Sequence, residues 1–413
     1  MDTTNAHATA SPSTAPDGDR YLVISSDTHA GPPSEAYRDY VDPQHRDAFD
    51  QDLETKLALR SIILEAASEE QEKFREEWEE ETGDGGKLAS YDPATRDAEL
   101  DKEGIAGEVI FPDADVLGGG ASAPFSAGLQ SSGELDGELV MAGARAHNRW
   151  LAELCSASPE RRCGVATVPI LHDIDEAVAE MARVADAGLR AMLIPTLWGD
   201  KPAYHDPRYE PIWAAAEDLG LVINIHSGGS SRDIQPGPGM VPIYATEAWW
   251  WAARPLWVLL WSGAFDRHPD LRLAITEDGA WWLPDIVERM DEKWVGGHNT
   301  RKFGNLFRDS IERKPSEYFG TNIFLGASTP SRYEISTRDR VGVRTLLWGN
   351  DFPHPEGTWP HTRESIHEVF HDVPIDETAT MLGGTTAEVY RFDVDKLAGT
   401  VDRIGPLVTE VHA

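Results

Sequence analysis

The sequence predicts a (β/α)8 barrel with a helical insertion between its first two strands. Eight short apolar runs bounded by turn residues are predicted as strands, at residues 21–27, 107–112, 164–169, 189–195, 221–226, 271–277, 322–326 and 345–351. Most are almost continuously apolar, which is typical of parallel strands buried on both faces. Helical patterns separate the strands. An alternation repeated eight times favours a barrel over an open doubly wound sheet, which is the alternative fold.

The helices predicted between the strands cover residues 137–157, 173–187, 206–219, 248–267, 281–294, 331–341 and 361–371, and a further helical segment covers 376–390. Residues 34–100 are too long for one crossover and contain a glutamate-rich helical run at 69–82. We interpret them as an acidic helical insertion packed on the barrel, with the charge run forming a solvated face. The barrel then spans residues 20–392, and residues 393–413 are a C-terminal extension.

The composition limits the class of protein. The 413 residues include 71 Asp and Glu against 37 Lys and Arg, a formal net charge of −34, which argues against nucleic acids and anionic membranes as partners. Residues 1–19, rich in Ala, Ser, Thr and Pro, are predicted to be a disordered tail without secretory-signal character. Two cysteines, Cys155 and Cys163, cannot build a disulfide framework. With no apolar run long enough to span a bilayer, we expect a cytoplasmic protein.

Four of the predicted strands end in residue types that bind metals. Chemistry in a barrel of this kind lies at the C-terminal ends of the strands, so these side chains should meet. Asp27 and His29 stand two apart at the end of the first strand and can share a direction. The predicted metal ligands are Asp27, His29, His226, Glu277 and Asp351, with His354 following close behind.

Convergence is the signal, because each residue alone has an ordinary explanation. A single strand-end histidine is more often hydrogen-bonded in the core, and Asp27 alone could cap the following segment. Burying such groups without a partner costs about 2–7 kcal/mol each, and a shared cation explains them together. Imidazole and carboxylate ligands suit a divalent transition metal with open positions for water or substrate.

These motifs resemble the amidohydrolase superfamily, in the branch that includes aminocarboxymuconate-semialdehyde decarboxylase. The resemblance rests on SSDTHAGPP (25–33), AHNRWLAEL (146–154), INIHSGG (223–229), PDLRLAITEDGAWWLP (269–284) and WGNDFPHPEGTWP (348–360). It runs in order from about residue 20 to residue 392. It implies a metal-dependent barrel enzyme acting on a small molecule, with His29 and His226 as ligands and Asp351 as a ligand or general base.

Two positions depart from the pattern of these decarboxylases. Asp27 stands where they have the first histidine of an H-x-H pair, and Glu277 stands where they have a sixth-strand histidine that takes part in the decarboxylation. Two histidines and three carboxylates favour manganese or iron over zinc, although all three metals stay open. Glu277 could also bridge two metals, for example two irons, with Glu103 or His354 completing a second site. The fourth strand offers no lysine for a carbamate bridge.

The leading functional hypothesis is a hydrolase in which the metal activates a water molecule and Asp351 accepts its proton. His354 or Glu277 would orient the substrate or donate a proton. The substrate would be a mid-sized, largely apolar carboxylate, ester or amide. Trp281 and Trp359 are predicted to line its pocket and Arg254 to bind a carboxylate, with Arg232 and Arg149 as alternatives. Non-oxidative decarboxylation or hydration on the same site stays open.

Two other hypotheses are carried alongside. Two irons in the carboxylate-rich shell could activate dioxygen, making the protein a non-haem diiron monooxygenase that hydroxylates an apolar substrate. A metal-free binding barrel is the hypothesis of another class. The sequence His367–Glu368–Val369–Phe370–His371 matches the zinc-protease spacing H-E-x-x-H, but we expect it on an outer helix without a third ligand. The tryptophan-rich segments suggest a homodimer.

Overall fold

The computed structural model describes residues 19–114, 122–229, 237–296 and 302–413, and it confirms the barrel. Eight parallel strands follow one another around the sheet in chain order. The doubly wound alternative is therefore wrong. The strands are β1 Ile24–His29, β2 Gly107–Phe111, β3 Arg162–Thr167, β4 Ala191–Leu193, β5 Val222–His226, β6 Leu273–Thr276, β7 Ile323–Ser328 and β8 Leu346–Gly349.

The first and last strands meet at their C-terminal ends, where the barrel closes. The His29 N–H donates to the Phe352 carbonyl at 2.6 Å, and the Asp351 N–H donates to the Asp27 carbonyl at 3.0 Å. Below them, the Ser25 hydroxyl donates to the Asn350 side chain at 2.8 Å. Three of the predicted metal ligands, Asp27, His29 and Asp351, therefore lie at the seam that joins the two ends of the sheet.

Helices follow the strands in the order that the sequence predicts. The α-helices of the described residues are α1 Arg46–Glu65, α2 Glu69–Thr82, α3 Gly85–Ala89, α4 Pro93–Glu103, α5 Gly137–Ser156, α6 Ile174–Asp186, α7 Glu210–Leu219, α8 Met240–Trp261, α9 Ala264–Arg267, α10 Leu283–Gly296, α11 Leu306–Asp309, α12 Arg332–Ser336, α13 Arg338–Val341, α14 Thr362–Phe370, α15 Ile375–Ala379, α16 Thr385–Tyr390, α17 Val394–Ile404 and α18 Val408–Val411. A π-helical turn, Thr380–Gly384, joins α15 to α16. None of these helices is long and apolar enough to cross a membrane.

The helix after β5 begins at Met240, eight residues before the expected start, and ends at Trp261, six residues before the expected end, with the short α9 completing the predicted segment. Its N-terminal half is partly exposed, and Trp250 is exposed. The expected start, residue 248, directly precedes the tryptophan run at residues 249–251. The expected homodimer stays a prediction.

The insertion between β1 and β2 is helical throughout much of its length. It comprises α1 to α4, and α2 has the predicted bounds of the glutamate-rich run. Ser68 caps α2 in a capping box with Gln71, which explains why the helix begins there. The predicted disordered tail falls almost wholly on residues 1–18, which lie outside the described residues.

Two layers of apolar side chains form the core. One lies inside the barrel and includes Val109, Val165 and Val222. The other lies between the strands and the outer helices and includes Ile110, Ala166 and Ile223. Neighbouring residues of a strand thus enter different layers, as the pleat requires. On β5, residues of the Val222 parity face the interior, which carries His226 to the mouth of the barrel.

Candidate metal centre

Five of the predicted ligands converge at the mouth of the barrel from β1, β5 and the turns after β6 and β8. One ligand atom from each of Asp27, His29, His226 and Glu277 can be chosen so that all lie within 4.8 Å of one another. The Nε2 atom of His226 lies 3.3 Å from both the Asp27 Oδ1 and the Glu277 Oε2 atoms. The His29 Nε2 atom lies 3.3 Å from the Asp351 Oδ1 atom.

Both imidazoles are oriented by backbone carbonyls. The Nδ1 atom of His29 contacts the Pro112 carbonyl at 2.8 Å, and the Nδ1 atom of His226 contacts the Ser227 carbonyl at 3.0 Å. Because a carbonyl can only accept, each Nδ1 carries the proton, and each Nε2 lone pair is left for the cluster. This is the arrangement that metal-binding histidines use.

The His29 Nε2 atom is the observation that most directly fits a cation. It is buried and has no hydrogen-bond partner among the described residues, although carboxylate oxygens surround it. Orphaned buried polar atoms are rare and costly. A divalent cation between His29, His226 and the carboxylates would satisfy this lone pair and neutralise the acids. The residues present therefore fit the metal that the sequence predicts.

The electrostatics of the cluster also favour a positive charge. Burial disfavours charged imidazoles, yet the neighbouring carboxylates raise the pKa of His29 and of His226 above the ordinary value. Burial likewise opposes ionisation of Asp27, but the two histidines hold its pKa well below the usual range. The carboxylates thus attract protons to the histidines in the same way that they would attract a cation.

Glu277 and Asp351 differ in their surroundings. Burial, with the charges of Asp351 and Asp27, raises the pKa of Glu277 against the attraction of His226. Burial also works against ionisation of Asp351, but the neighbouring imidazoles of His29 and His354 lower its pKa. The side chain of Glu277 is 29% exposed and that of Asp351 only 2%. Glu277 is therefore the carboxyl that can hold a proton and reach a substrate.

The backbone at these two carboxylates is strained. Glu277 and Asp351 both have φ of 55°, in the left-handed region that non-glycine residues rarely adopt. Each lies just after a strand end, and the left-handed turn occurs where the side chain joins the cluster. Strain of this kind costs about 1–3 kcal/mol and concentrates at functional sites.

A second, overlapping group shares His29 and Glu277 with the first and adds Asp351 and His354. The His354 Nδ1 atom lies 3.0 Å from the Asp351 Oδ1 atom. The other predicted completion, Glu103, belongs to neither group and instead accepts a hydrogen bond from the Thr362 N–H at 2.8 Å. Among the described residues, a second cation would thus be held through His354.

Two serines support the carboxylates, and sequence reasoning missed both roles. The Ser227 hydroxyl donates to the Glu277 Oε1 atom at 3.0 Å, and the Ser328 hydroxyl donates to the Asp27 carboxylate. Ser227 directly follows a ligand, so its place was a usable signal. Ser328 was not predicted because the seventh strand extends two residues beyond its expected end.

The end of β1 is also held from the insertion. Arg96 of α4 is fully buried, and its guanidinium donates to Glu108 of β2 at 2.7 Å and 2.8 Å. The same guanidinium donates to the Thr28 hydroxyl at 3.0 Å and to the His29 carbonyl at 2.9 Å. A fully buried ion pair therefore holds the backbone between the candidate ligands Asp27 and His29 in place.

The predicted substrate-binding residues lie in three different surroundings. Trp281 is 49% exposed and packs against Trp249. Trp359 is buried between Phe352 and Trp78, the latter from the insertion. The Arg254 guanidinium lies 4.7 Å from the centre of the Trp198 ring. None of the three contacts a candidate ligand in the described interactions, so their role stays a prediction.

Of the two alternative arginines for binding a substrate carboxylate, only Arg149 lies among the described residues. It forms an ion pair with Asp42 at 2.9 Å, and neither residue belongs to a ligand group of the described residues. Arg232 lies outside the described residues. His367 and His371 lie at the outer helix α14, where the His367 Nδ1 atom contacts the Val411 carbonyl at 3.0 Å and His371 contacts Arg332. Neither belongs to a ligand group of the described residues, as expected.

Comparison with known proteins assigns the family. The chain matches the Amidohydrolase family over residues 110–392, more than half of its length. It belongs to this family. The resemblance inferred from the strand-end motifs is confirmed, and the chain is a metal-dependent hydrolase or lyase. No curated protein matches the chain significantly.

Solved structures with the same fold include both decarboxylases and amidohydrolases. The 5-carboxyvanillate decarboxylase of Sphingomonas paucimobilis is 23% identical, with a TM-score of 0.59, over 90% of this chain and 99% of that one. An amidohydrolase of Mycobacterium avium subsp. paratuberculosis is 17% identical, with a TM-score of 0.63, over 90% and 99%. A dihydroxybenzoic acid decarboxylase of Polaromonas, solved with manganese and 2-nitroresorcinol, is 18% identical, with a TM-score of 0.57, over 90% and 97%.

Proposed function

We propose that this protein is a metal-dependent hydrolase that cleaves an ester or amide bond in a mid-sized, largely apolar molecule. The observation that carries the proposal is the convergence of two correctly oriented imidazoles and three carboxylates, with the buried Nε2 atom of His29 lacking a hydrogen-bond partner among the described residues. A metal-free binding barrel would leave that atom and the carboxylate cluster without a physical explanation.

The ion would be held by Asp27, His29, His226, Glu277 and Asp351. When bound, a divalent cation would lower the pKa of water toward about 7 and polarise a substrate carbonyl. Manganese or iron suits this mixed nitrogen and oxygen set, and manganese is the ion in the Polaromonas relative.

The charge of the ligand set favours a neutral group at the centre. Three carboxylates carry a formal charge of −3, and one divalent cation leaves the centre at −1. A substrate carboxylate, which a decarboxylase must bind there, would meet this excess negative charge. A neutral ester or amide carbonyl would not, since it presents only a dipole. The replacement of a sixth-strand histidine by Glu277 therefore supports hydrolysis over decarboxylation.

Two carboxyl groups can divide the proton transfers between them. Asp351 is buried and ionised, so it can accept the proton that the nucleophilic water releases. Glu277, ionised while it holds the cation, has a raised pKa and a partly exposed side chain, so it can take up a proton during turnover and deliver it to the leaving alcohol or amine. His354, 3.0 Å from Asp351, orients that carboxylate.

The test combines metal content with product analysis on anaerobically purified protein. We expect about one divalent ion per chain and turnover of aryl esters or amides. His226→Ala should lose both the ion and the turnover, and Asp351→Asn should lose turnover. His205→Ala, an exposed histidine with no role in the cluster, should change neither. Carbon dioxide release from aryl carboxylates without ester or amide cleavage would replace hydrolysis by decarboxylation.

A second candidate function, non-haem diiron monooxygenation of an apolar substrate, is favoured by the two overlapping ligand groups. They share His29 and Glu277, and they bring enough carboxylates to hold two irons. The structural relatives named above are decarboxylases and an amidohydrolase and lend this candidate no support. Two irons per chain and substrate-dependent dioxygen consumption would favour it. A single ion, or turnover without oxygen, would exclude it.

A further inference from the structure

A large cavity lies between the insertion and the mouth of the barrel. Its volume is about 660 Å³, within the range of small-molecule sites. We call it the roof cavity and define it by six of its lining residues: Gly31, Arg60, Arg75, Trp78, Tyr91 and Ala114. The first and last of these belong to the loops after β1 and β2, and the others belong to the insertion.

Two loops that line the roof cavity adjoin residues of the candidate metal centre. Gly31 is two residues beyond His29, and its N–H donates to the Ser90 carbonyl of the insertion at 2.9 Å. Ala114 directly follows Asp113, whose carbonyl contacts the Nε2 atom of His354 at 3.3 Å. A molecule in the cavity would therefore lie against the same loops that carry the cluster.

Helix α2 turns one defined face to this cavity. Arg75, Trp78, Glu79 and Thr82 line it, at the spacing i, i+3, i+4 and i+7 that places residues on one side of a helix. The helix contains eight glutamates, yet only Glu79 is among the lining residues. The acidic run is thus a solvated face, as expected, while the opposite face lines the cavity.

Two arginines of the cavity, Arg60 and Arg75, lack partners among the described residues. Neither Arg60 nor Arg75 has a hydrogen-bond or ion-pair partner among the described residues, and the Nε atom of Arg60 is buried without one. Both arginines are half-buried, whereas Lys87, Glu79 and Asp84 at the cavity wall are exposed. Water screens the exposed charges, so the two guanidinium groups determine the electrostatic potential inside the cavity.

We infer that the roof cavity binds the carboxylate of an organic acid, with its apolar body against Trp78, Tyr91 and Leu64. Guanidinium groups match a carboxylate in geometry and charge, and the half-buried arginines would gain the counterion that they lack. The inference rests on the proposed function and deepens it. The substrate class becomes an acid whose carboxylate is held by the insertion while a neutral ester or amide group lies at the metal centre.

The test compares a carboxylate with its neutral amide on the full-length, manganese-loaded protein. Isothermal calorimetry would measure 4-phenylbutyrate and 4-phenylbutyramide. We expect the carboxylate to bind about tenfold more tightly or better, as charge-assisted hydrogen bonds allow. Arg60→Gln and Arg75→Gln should each remove most of this preference. Arg75→Lys, which keeps the charge, should retain part of it, and Arg340→Gln, which alters an exposed ion pair elsewhere, should retain all of it.

The outcomes separate this inference from the proposed function. His226→Ala should lose the metal and turnover but keep the preference for the carboxylate. Absence of the preference in the wild type, or its survival in both arginine variants, would overturn the inference while leaving hydrolysis untouched. If His226→Ala lost the preference while the arginine variants kept it, the inference would also be overturned, because the carboxylate would then bind at the metal centre. A preference that depends on the arginines in a protein without metal or turnover would overturn only the proposed function.

Discussion

Replacing Arg96 by methionine should destabilise the protein and loosen the metal centre together. The Arg96 and Glu108 side chains are both fully buried, and the guanidinium makes three charge-assisted hydrogen bonds to the carboxylate. Removing one partner of a buried pair costs about 3–5 kcal/mol, because the other charge is left in the interior. Arg162, 3.5 Å from Glu108, can compensate in part, so we expect about 3 kcal/mol.

The same substitution should weaken cation binding by about tenfold, the lower end for groups that orient ligands from behind. Arg96 holds the Thr28 hydroxyl and the His29 carbonyl, so its loss frees the backbone between Asp27 and His29. Urea unfolding of the metal-free protein would measure the stability. Metal retained after dialysis against a manganese buffer would measure the affinity.

Two further variants make the reasoning refutable. Arg340→Met removes an exposed arginine from its pairs with Asp285 and Glu288 and should cost less than about 1 kcal/mol. Arg96→Met combined with Glu108→Met removes both buried charges and should recover much of the stability but not the metal affinity. If Arg96→Met proved as mild as Arg340→Met, or if the double variant recovered the affinity, the positioning role would be wrong.

Three further results are expected. A Cβ atom at Gly349 would lie 2.9 Å from the Asp27 Cβ atom, so Gly349→Ala should displace this candidate ligand and lower metal retention. The control Gly399→Ala has open space around the added methyl group and should stabilise its helix by about 0.5–1 kcal/mol. Burial lowers the pKa of His147 from 6.5 to about 3. Because only the unfolded chain then takes up a proton below pH 6.5, stability should fall by about 2 kcal/mol between pH 6.5 and pH 5, and His147→Asn should remove that part of the pH dependence in urea titrations. A chelator should lower the melting temperature and manganese should restore it, since a ligand at 100 times its Kd adds about 2.7 kcal/mol; an unchanged melting temperature would contradict a bound cation.

The strands and the convergence of the strand-end residues could be predicted from the sequence because the barrel topology determines where the strand ends lie. Once eight apolar runs alternate with helices, their C-terminal ends must meet, and the polar residues at those ends must meet with them. The predicted strands overlap the observed ones, with shifts of a few residues at their ends. Such shifts decided one detail, since the extension of β7 is what brings Ser328 to Asp27.

The surroundings of the cluster could not be predicted in the same way. Arg96 and Glu108 are twelve residues apart and belong to different elements, so only their packing shows that they form a buried pair. In α2, eight glutamates dominate any average over the helix and indicate a solvated surface. The face with Arg75 and Trp78 emerges only when the cavity beneath it is known. Local charge patterns describe a helix as a whole, whereas function depends on one side of it.

Closure of the barrel brings together the two ends of the sheet that carry three of the candidate metal ligands. Asp27 and His29 lie on β1 and Asp351 follows β8, and two backbone hydrogen bonds between these ends complete the seam. A cation that needs both ends binds only the closed barrel, so its binding free energy stabilises closure. Adding manganese to the metal-free protein should therefore slow amide hydrogen exchange in peptides covering residues 24–29 and 346–352. Peptides covering β3 and β4, on strands that carry no ligand, should change little. Equal protection of all strands would mean that the cation stabilises the whole fold rather than the seam, and no protection at the seam would contradict a site shared by its two sides.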